Sequence, residues 1–232
     1  MRTLEQALTW VAEGTDLCRA ALADLDETSY DAPSLLPGWT RKHVVAHLAG
    51  NASALLNLVR WARTGEITPM YSSPERRLID IASGAELPGD RLTVRFEDSA
   101  RALDRAMASL SAAQWRVEVV TAQQRIIPAG EVPWLRAREV MVHAVDLGTG
   151  IRFADLPGGF LAELRHDIRA KRGAGGVAAV RGDDAVPGNP VVQGADAVRG
   201  TDAEVTAYLA GRPYTGVTTA EGLPAEPLGP WL

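Results

Sequence analysis

Apolar positions in the first half of the chain recur with the spacing of helix faces. Leu4, Leu8, Val11, Leu17, Ala21 and Leu25 follow a three-to-four repeat, and Thr3 and Gln6 stand at the ends of a capping box. A first helix to about residue 25 is predicted. Pro33, Pro37 and Gly38 make 31–39 a loop, after which Thr40 is the N-cap of a helix over 41–63, closed by Gly65. On that helix Val44, Val45, Leu48, Ala52, Leu55, Leu56, Val59 and Trp61 cover nearly the whole circumference, the pattern of a helix inside a core. Ser73-Pro74-Glu75 reads as another helix start with Gly84 as its stop, and a long helix is expected from about Leu92 to Leu110. Residues 117–127 are mixed and β-prone, so a short extended segment is expected there. Pro133 then opens a helix through WLRAREVMVHAVDL to Gly148. Four long helices joined by loops predict an antiparallel four-helix bundle over residues 1–150.

Beyond residue 150 the pattern changes. Glycine and proline become frequent, and the runs VAAV (177–180) and NPVVQGA (189–195) look like strands. Thr201-Asp202-Ala203-Glu204 repeats the capping-box pattern and opens a helix ending near Gly211, with Gly216 to Thr219 as a final short strand. Residues 151–232 therefore read as a small α+β domain, and the chain as an α+β multidomain protein.

Composition narrows the function classes. Acidic residues exceed basic ones by five in 232 residues, with no Lys/Arg block, which argues against a nucleic-acid or anionic-membrane partner. The N-terminal stretch lacks the layout of a signal peptide and no apolar run reaches spanning length, so a cytoplasmic protein is expected. Cys18 is the lone cysteine; it is expected to pack within its helix as a small hydrophobe.

Chemistry concentrates in two short segments. TRKHVVAHLAGN (40–51) sets His43 and His47 four residues apart, and REVMVHAVD (138–146) sets Glu139 and His143 at the same spacing. Residues at i and i+4 share a helix face. Two imidazoles and a carboxylate suit zinc and leave one coordination position open, the catalytic pattern rather than the closed structural one. If the two helices face each other, His47, Glu139 and His143 converge on one ion. His47 lies deeper in its apolar run; His43, following Arg41 and Lys42, is expected at the site mouth or in solvent. Asp146, one turn beyond His143, either orients it or is solvated at the helix end. His166, in LRHDIRAKR, reads as a surface residue.

These residues carry a family resemblance. SLLPGWTRKHVVAHLAGNASALLNLVRWARTGEITPMYSSPE (34–75), TAQQRIIPA (121–129), WLRAREVMVHAVDLG (134–148) and AYLAGR (207–212) resemble the mycothiol-dependent maleylpyruvate isomerases. The resemblance implies a DinB-like bundle followed by a domain related to sterol-carrier folds. It implies zinc on His47, Glu139 and His143, mycothiol as thiol cofactor, and an arginine needed for activity at Arg212. This chain ends GPWL, where the relative carries an arginine before Trp-Leu, so a substrate contact from the tail does not carry over. The reaction implied converts maleylpyruvate to fumarylpyruvate in gentisate breakdown.

Rotation about a C=C bond needs that bond made single for a moment, and a thiolate adding to the conjugated alkene does this. Cys18 lies on a different helix from the cluster, so an external thiol is physically sensible, and the mycothiol implied by the resemblance fills that need. A free thiol near pKa ~8.5 is only a few per cent thiolate at neutral pH, and a coordinating thiol is deprotonated. A guanidinium at Arg212 suits the carboxylates of the substrate, although by position alone it also suits a helix C-terminus. Two rivals stand beside this reading: a mycothiol S-transferase acting on another electrophile, and a non-catalytic zinc regulator. No protein partner is implied.

Overall fold

The computed structural model describes residues 2–173, 198–229 and 231. The chain divides between Ile151 and Arg152 into two compact units. The first contains α1 (Leu4–Leu22), α2 (Glu27–Asp31), α3 (Arg41–Thr64), α4 (Pro74–Ala85), α5 (Gly89–Ala108) and α6 (Val132–Asp146). A hairpin of β1 (Glu118–Val120) and β2 (Ile126–Pro128) precedes α6, antiparallel, with Val119 opposite Ile127. Helices α1, α3, α5 and α6 form a four-helix bundle in which α1 packs on α6, and α3 packs on both α5 and α6. Helix α4 lies along α3.

Local chemistry sets the helix ends. Thr3 Oγ1 accepts from the Gln6 amide at 3.1 Å and Gln6 Oε1 accepts from the Thr3 amide at 2.8 Å, closing the capping box of α1. Helix α1 stops at Leu22, short of the expected residue 25, because Asp26 starts a separate short helix by accepting from the Ser29 amide at 2.7 Å. Leu25 still packs against the core. Helix α5 begins at Gly89, three residues earlier than its apolar pattern indicates, with the Gly89 amide donating to the Glu27 carboxylate at 2.7 Å.

Gly84 is not the stop that sequence suggests: α4 continues to Ala85. A Cβ on Gly84 would stand 2.8 Å from Ala46 Cβ, so the glycine lets α4 lie against α3. Gly14 does the same for α1, where a Cβ would meet Val140 Cγ2 of α6 at 2.6 Å. The core gathers Cys18, Val44, Val45, Leu48, Leu92, Phe96, Val140, Ala144 and Leu147. Burial of a Leu or Phe side chain contributes roughly 1.5–3 kcal/mol, so α3 and α6 are anchored on both flanks of the cluster they carry.

The second unit begins with a 3-10 turn at Phe153–Asp155, then α7 (Gly158–Gly173), β3 (Val198–Arg199), α8 (Asp202–Leu209) and β4 (Thr218–Thr219). Helix α7 packs on α8, and β3 pairs antiparallel with β4. Thr201 Oγ1 accepts from the Glu204 amide at 3.3 Å to start α8. The strands expected at 177–180 and 189–195 lie outside the described residues. Among the described residues no helix is long and apolar enough to cross a membrane.

Candidate active site

The packing of α3 on α6 brings His47 beside Glu139 and His143. His47 Nε2 lies 2.8 Å from Glu139 Oε2, and His143 Nε2 lies 3.3 Å from the same oxygen. One ligand atom from each of the three falls within 4.8 Å of the others. In a tetrahedral zinc site the bond lengths put neighbouring ligand atoms ~3.3 Å apart, so the donor set fits a divalent cation in kind and in spacing. Both imidazoles are buried, whereas the Glu139 side chain keeps 16% of its surface, which makes the carboxylate the open side of the cluster.

Charges around the cluster suit the same ion. Burial pushes the Glu139 carboxyl up, but hydrogen bonds to His143 and His47 outweigh it and hold the group well below the usual carboxylate range. Burial lowers His47 despite Glu139, keeping it neutral. Burial also pushes His143 down, yet bonds to Asp146 and Glu139 overcome this and raise it to about 9. Asp146 is fully buried and its Oδ2 lies 2.8 Å from His143 Nδ1. A carboxylate only accepts, so Nδ1 carries the proton and Nε2 faces Glu139. The carboxylates of Glu139 and Asp146 together match a dication, which offsets the cost of burying them.

Further contacts frame the cluster. The Trp39 ring stands edge-on to His47 with centroids 5.8 Å apart. Arg136 is buried one turn before Glu139 and donates through Nη1 to the Leu48 carbonyl at 2.8 Å and Asn51 Oδ1 at 2.9 Å, tying α6 to α3 beside the site. Arg77 Nη2 lies 3.4 Å from His47 Nδ1. The tautomer that frees His47 Nε2 to ligate carries its proton on Nδ1 and offers Arg77 no acceptor, so that contact and ligation through Nε2 exclude each other. His47 also lines a cavity of about 480 Å³ walled by α3, the segment before α4, α4 and α5. A second hollow, of about 540 Å³, is lined by Asp26, Glu27, Asp90 and Glu97 and contains none of the three cluster residues.

Other residues singled out in the sequence lie elsewhere. His43 is half-buried at the start of α3, where Nδ1 accepts from the Thr40 amide at 3.3 Å and lies 2.8 Å from Thr40 Oγ1. It closes a capping box at the start of its helix. Cys18 donates to the Val140 carbonyl at 3.2 Å, and burial pushes its thiol up to about 12, which leaves it inert. His166 is exposed on α7. Arg212, in the second unit, is buried and donates through Nη1 to the Ala210 carbonyl at 2.9 Å.

Residues 11–148 match the sequence family described as the mycothiol maleylpyruvate isomerase N-terminal domain. The fold is similar to a solved mycothiol-dependent maleylpyruvate isomerase at a TM-score of 0.88 and 41% identity, covering 98% of this chain and 97% of that one. The chain belongs to this isomerase family. A mutant of the same enzyme matches at 40% identity with the same TM-score and coverage. YfiT from Bacillus subtilis, a four-helix bundle of unusual topology, is similar at a TM-score of 0.50 and 16% identity over 62% of this chain and 85% of that one, a likeness of fold alone. No curated protein matches the chain. Relative to the family residues read from sequence, Arg77, Arg136 and Trp39 are additions from the structure. Arg77 follows Arg76 in the first turn of α4, and nothing in that pair signals a neighbour thirty residues away.

Proposed function

We propose that the chain catalyses the mycothiol-dependent cis-trans isomerisation of maleylpyruvate to fumarylpyruvate, a step of gentisate degradation, in the cytoplasm. Family membership supports the reaction class, and the observation that carries the site is the meeting of His47, Glu139 and His143 around Glu139 Oε2. Those three residues would hold zinc, with mycothiol sulfur as the thiol. A divalent cation held there would supply Lewis acidity, lowering the pKa of the mycothiol thiol so that its sulfur could act as the nucleophile.

The chain's own contribution is to hold and shield. Asp146 fixes the His143 ring and keeps its Nδ1 proton, leaving Nε2 to ligate. Trp39 and the buried wall of α3 limit water around His47. Arg212 is assigned, on the family motif AYLAGR, to binding a substrate carboxylate and steadying the negative charge that develops on thiol addition.

A spectrophotometric assay of maleylpyruvate turnover tests the reading, with mycothiol present, omitted or replaced by glutathione. Turnover only with mycothiol is expected; turnover without added thiol contradicts the reading. An S-transferase would instead consume mycothiol on an epoxide or halogenated acceptor and leave maleylpyruvate unchanged. A redox-switched zinc regulator needs an oxidisable ligand thiol, and Cys18 is buried against Val140.

A further inference from the structure

We propose that the cavity beside His47 is an anion subsite, which seats one carboxylate of a small dicarboxylate through Arg77, Arg60 and Arg95. Its lining draws four guanidinium groups, Arg60 from α3, Arg76 and Arg77 from α4, and Arg95 from α5, against a single carboxylate, Asp80. Asp80 is already engaged: its Oδ1 accepts from Arg76 Nε at 2.9 Å. Among the described residues Arg60, Arg77 and Arg95 have no carboxylate partner. This basic concentration stands in a chain whose formal charge is -5. Like charges converging on one cavity repel, and a bound anion relieves the repulsion while accepting paired hydrogen bonds from a guanidinium fork.

Placement ties the cavity to the reaction. His47 forms part of its wall, and Arg77 reaches from the cavity to within 3.4 Å of His47 Nδ1. Tyr71 shares the lining with Arg77. Asn57 Nδ2 donates to the Pro69 carbonyl at 3.1 Å, fixing the segment that brings Tyr71 in. The volume of about 480 Å³ falls within the range of small-molecule sites, roughly 300–1,000 Å³. Sugar hydroxyls call for neutral donors and acceptors, whereas three guanidinium groups lacking a carboxylate partner select an anion. The cavity thus suits the dianionic substrate rather than the sugar-linked thiol. The identity of the dicarboxylate as maleylpyruvate rests on the proposed isomerase reading; the anion subsite itself does not.

The test uses the zinc-loaded protein and the variants Arg77→Ala and Arg95→Ala, with Arg95→Lys as the conservative control. Arg95 is exposed and makes no contact with the metal cluster, so its removal leaves zinc content intact. Each alanine variant is expected to raise KM for maleylpyruvate about tenfold or more, the loss of a charge-assisted hydrogen bond, with KM for mycothiol unchanged. Arg95→Lys should recover part of the loss. An unchanged KM for maleylpyruvate, or a rise confined to mycothiol, overturns the proposal. Calorimetric titration with maleate separates this outcome from failure of the isomerase reading. Maleate binding weakened about tenfold in both alanine variants supports the subsite even in a protein that turns over no maleylpyruvate. Maleate binding equal to wild type, or none in wild type, overturns it.

Discussion

Glu139 is shared by both imidazoles, and Asp146 stands behind one of them, so the behaviour of the cluster turns on proton placement. Asp146→Asn keeps the shape and removes the charge that holds the His143 Nδ1 proton. Its zinc dissociation constant, read by chelator competition, is expected to rise about 10–100-fold, with the fold intact by circular dichroism. A second expectation concerns pH. His143 in the metal-free protein is raised to about 9, so below that pH a cation must displace its Nε2 proton. Zinc affinity should therefore rise with pH between about 7 and 9, by up to about tenfold per unit, and level off above. His47, held low by burial, adds no such dependence in that range. Affinity that is flat across the range would contradict the proton assignment. The i,i+4 spacing of Glu139 and His143 and the buried position of His47 are written in the sequence. The Arg77 contact is not, because it depends on how closely α4 lies against α3.

At the level of elements, the site depends on helices brought unusually close. Gly84→Ala is the discriminating substitution. Helix propensity favours alanine over glycine by about 1 kcal/mol in a helix interior. The new Cβ would nevertheless stand 2.8 Å from Ala46 Cβ on α3, next to His47. Denaturant unfolding should show net destabilisation of about 1–3 kcal/mol, the cost of overpacking; stabilisation would mean that α4 does not press on α3. This also explains which elements were legible. Long apolar periodicities and caps located α1, α3 and α6 to within a few residues. The short α2 carries too few residues for a periodic signal, and the early start of α5 is set by a tertiary contact from Glu27. Gly84 reads as a stop when only local propensity is considered, since the neighbour that requires it is distant in sequence.

Across the whole molecule, the bundle carries the candidate metal ligands His47, Glu139 and His143 and the arginine-lined cavity, while Arg212 belongs to the second unit. On the proposed role, Arg212→Ala lowers turnover and leaves zinc content unchanged; loss of zinc in that variant would contradict the assignment. Periodicity and capping patterns foretell the helical bundle. The proposed activity role of Arg212 rests on the family motif alone, because a buried arginine two residues from the carbonyl it bonds reads equally as a helix-end contact. The most direct test of the account strips the protein with a chelator and adds zinc back stepwise during the maleylpyruvate assay with mycothiol. Activity should vanish in the stripped protein and return in proportion to bound metal, reaching its plateau at about one ion per chain. Full turnover by metal-free protein would contradict it.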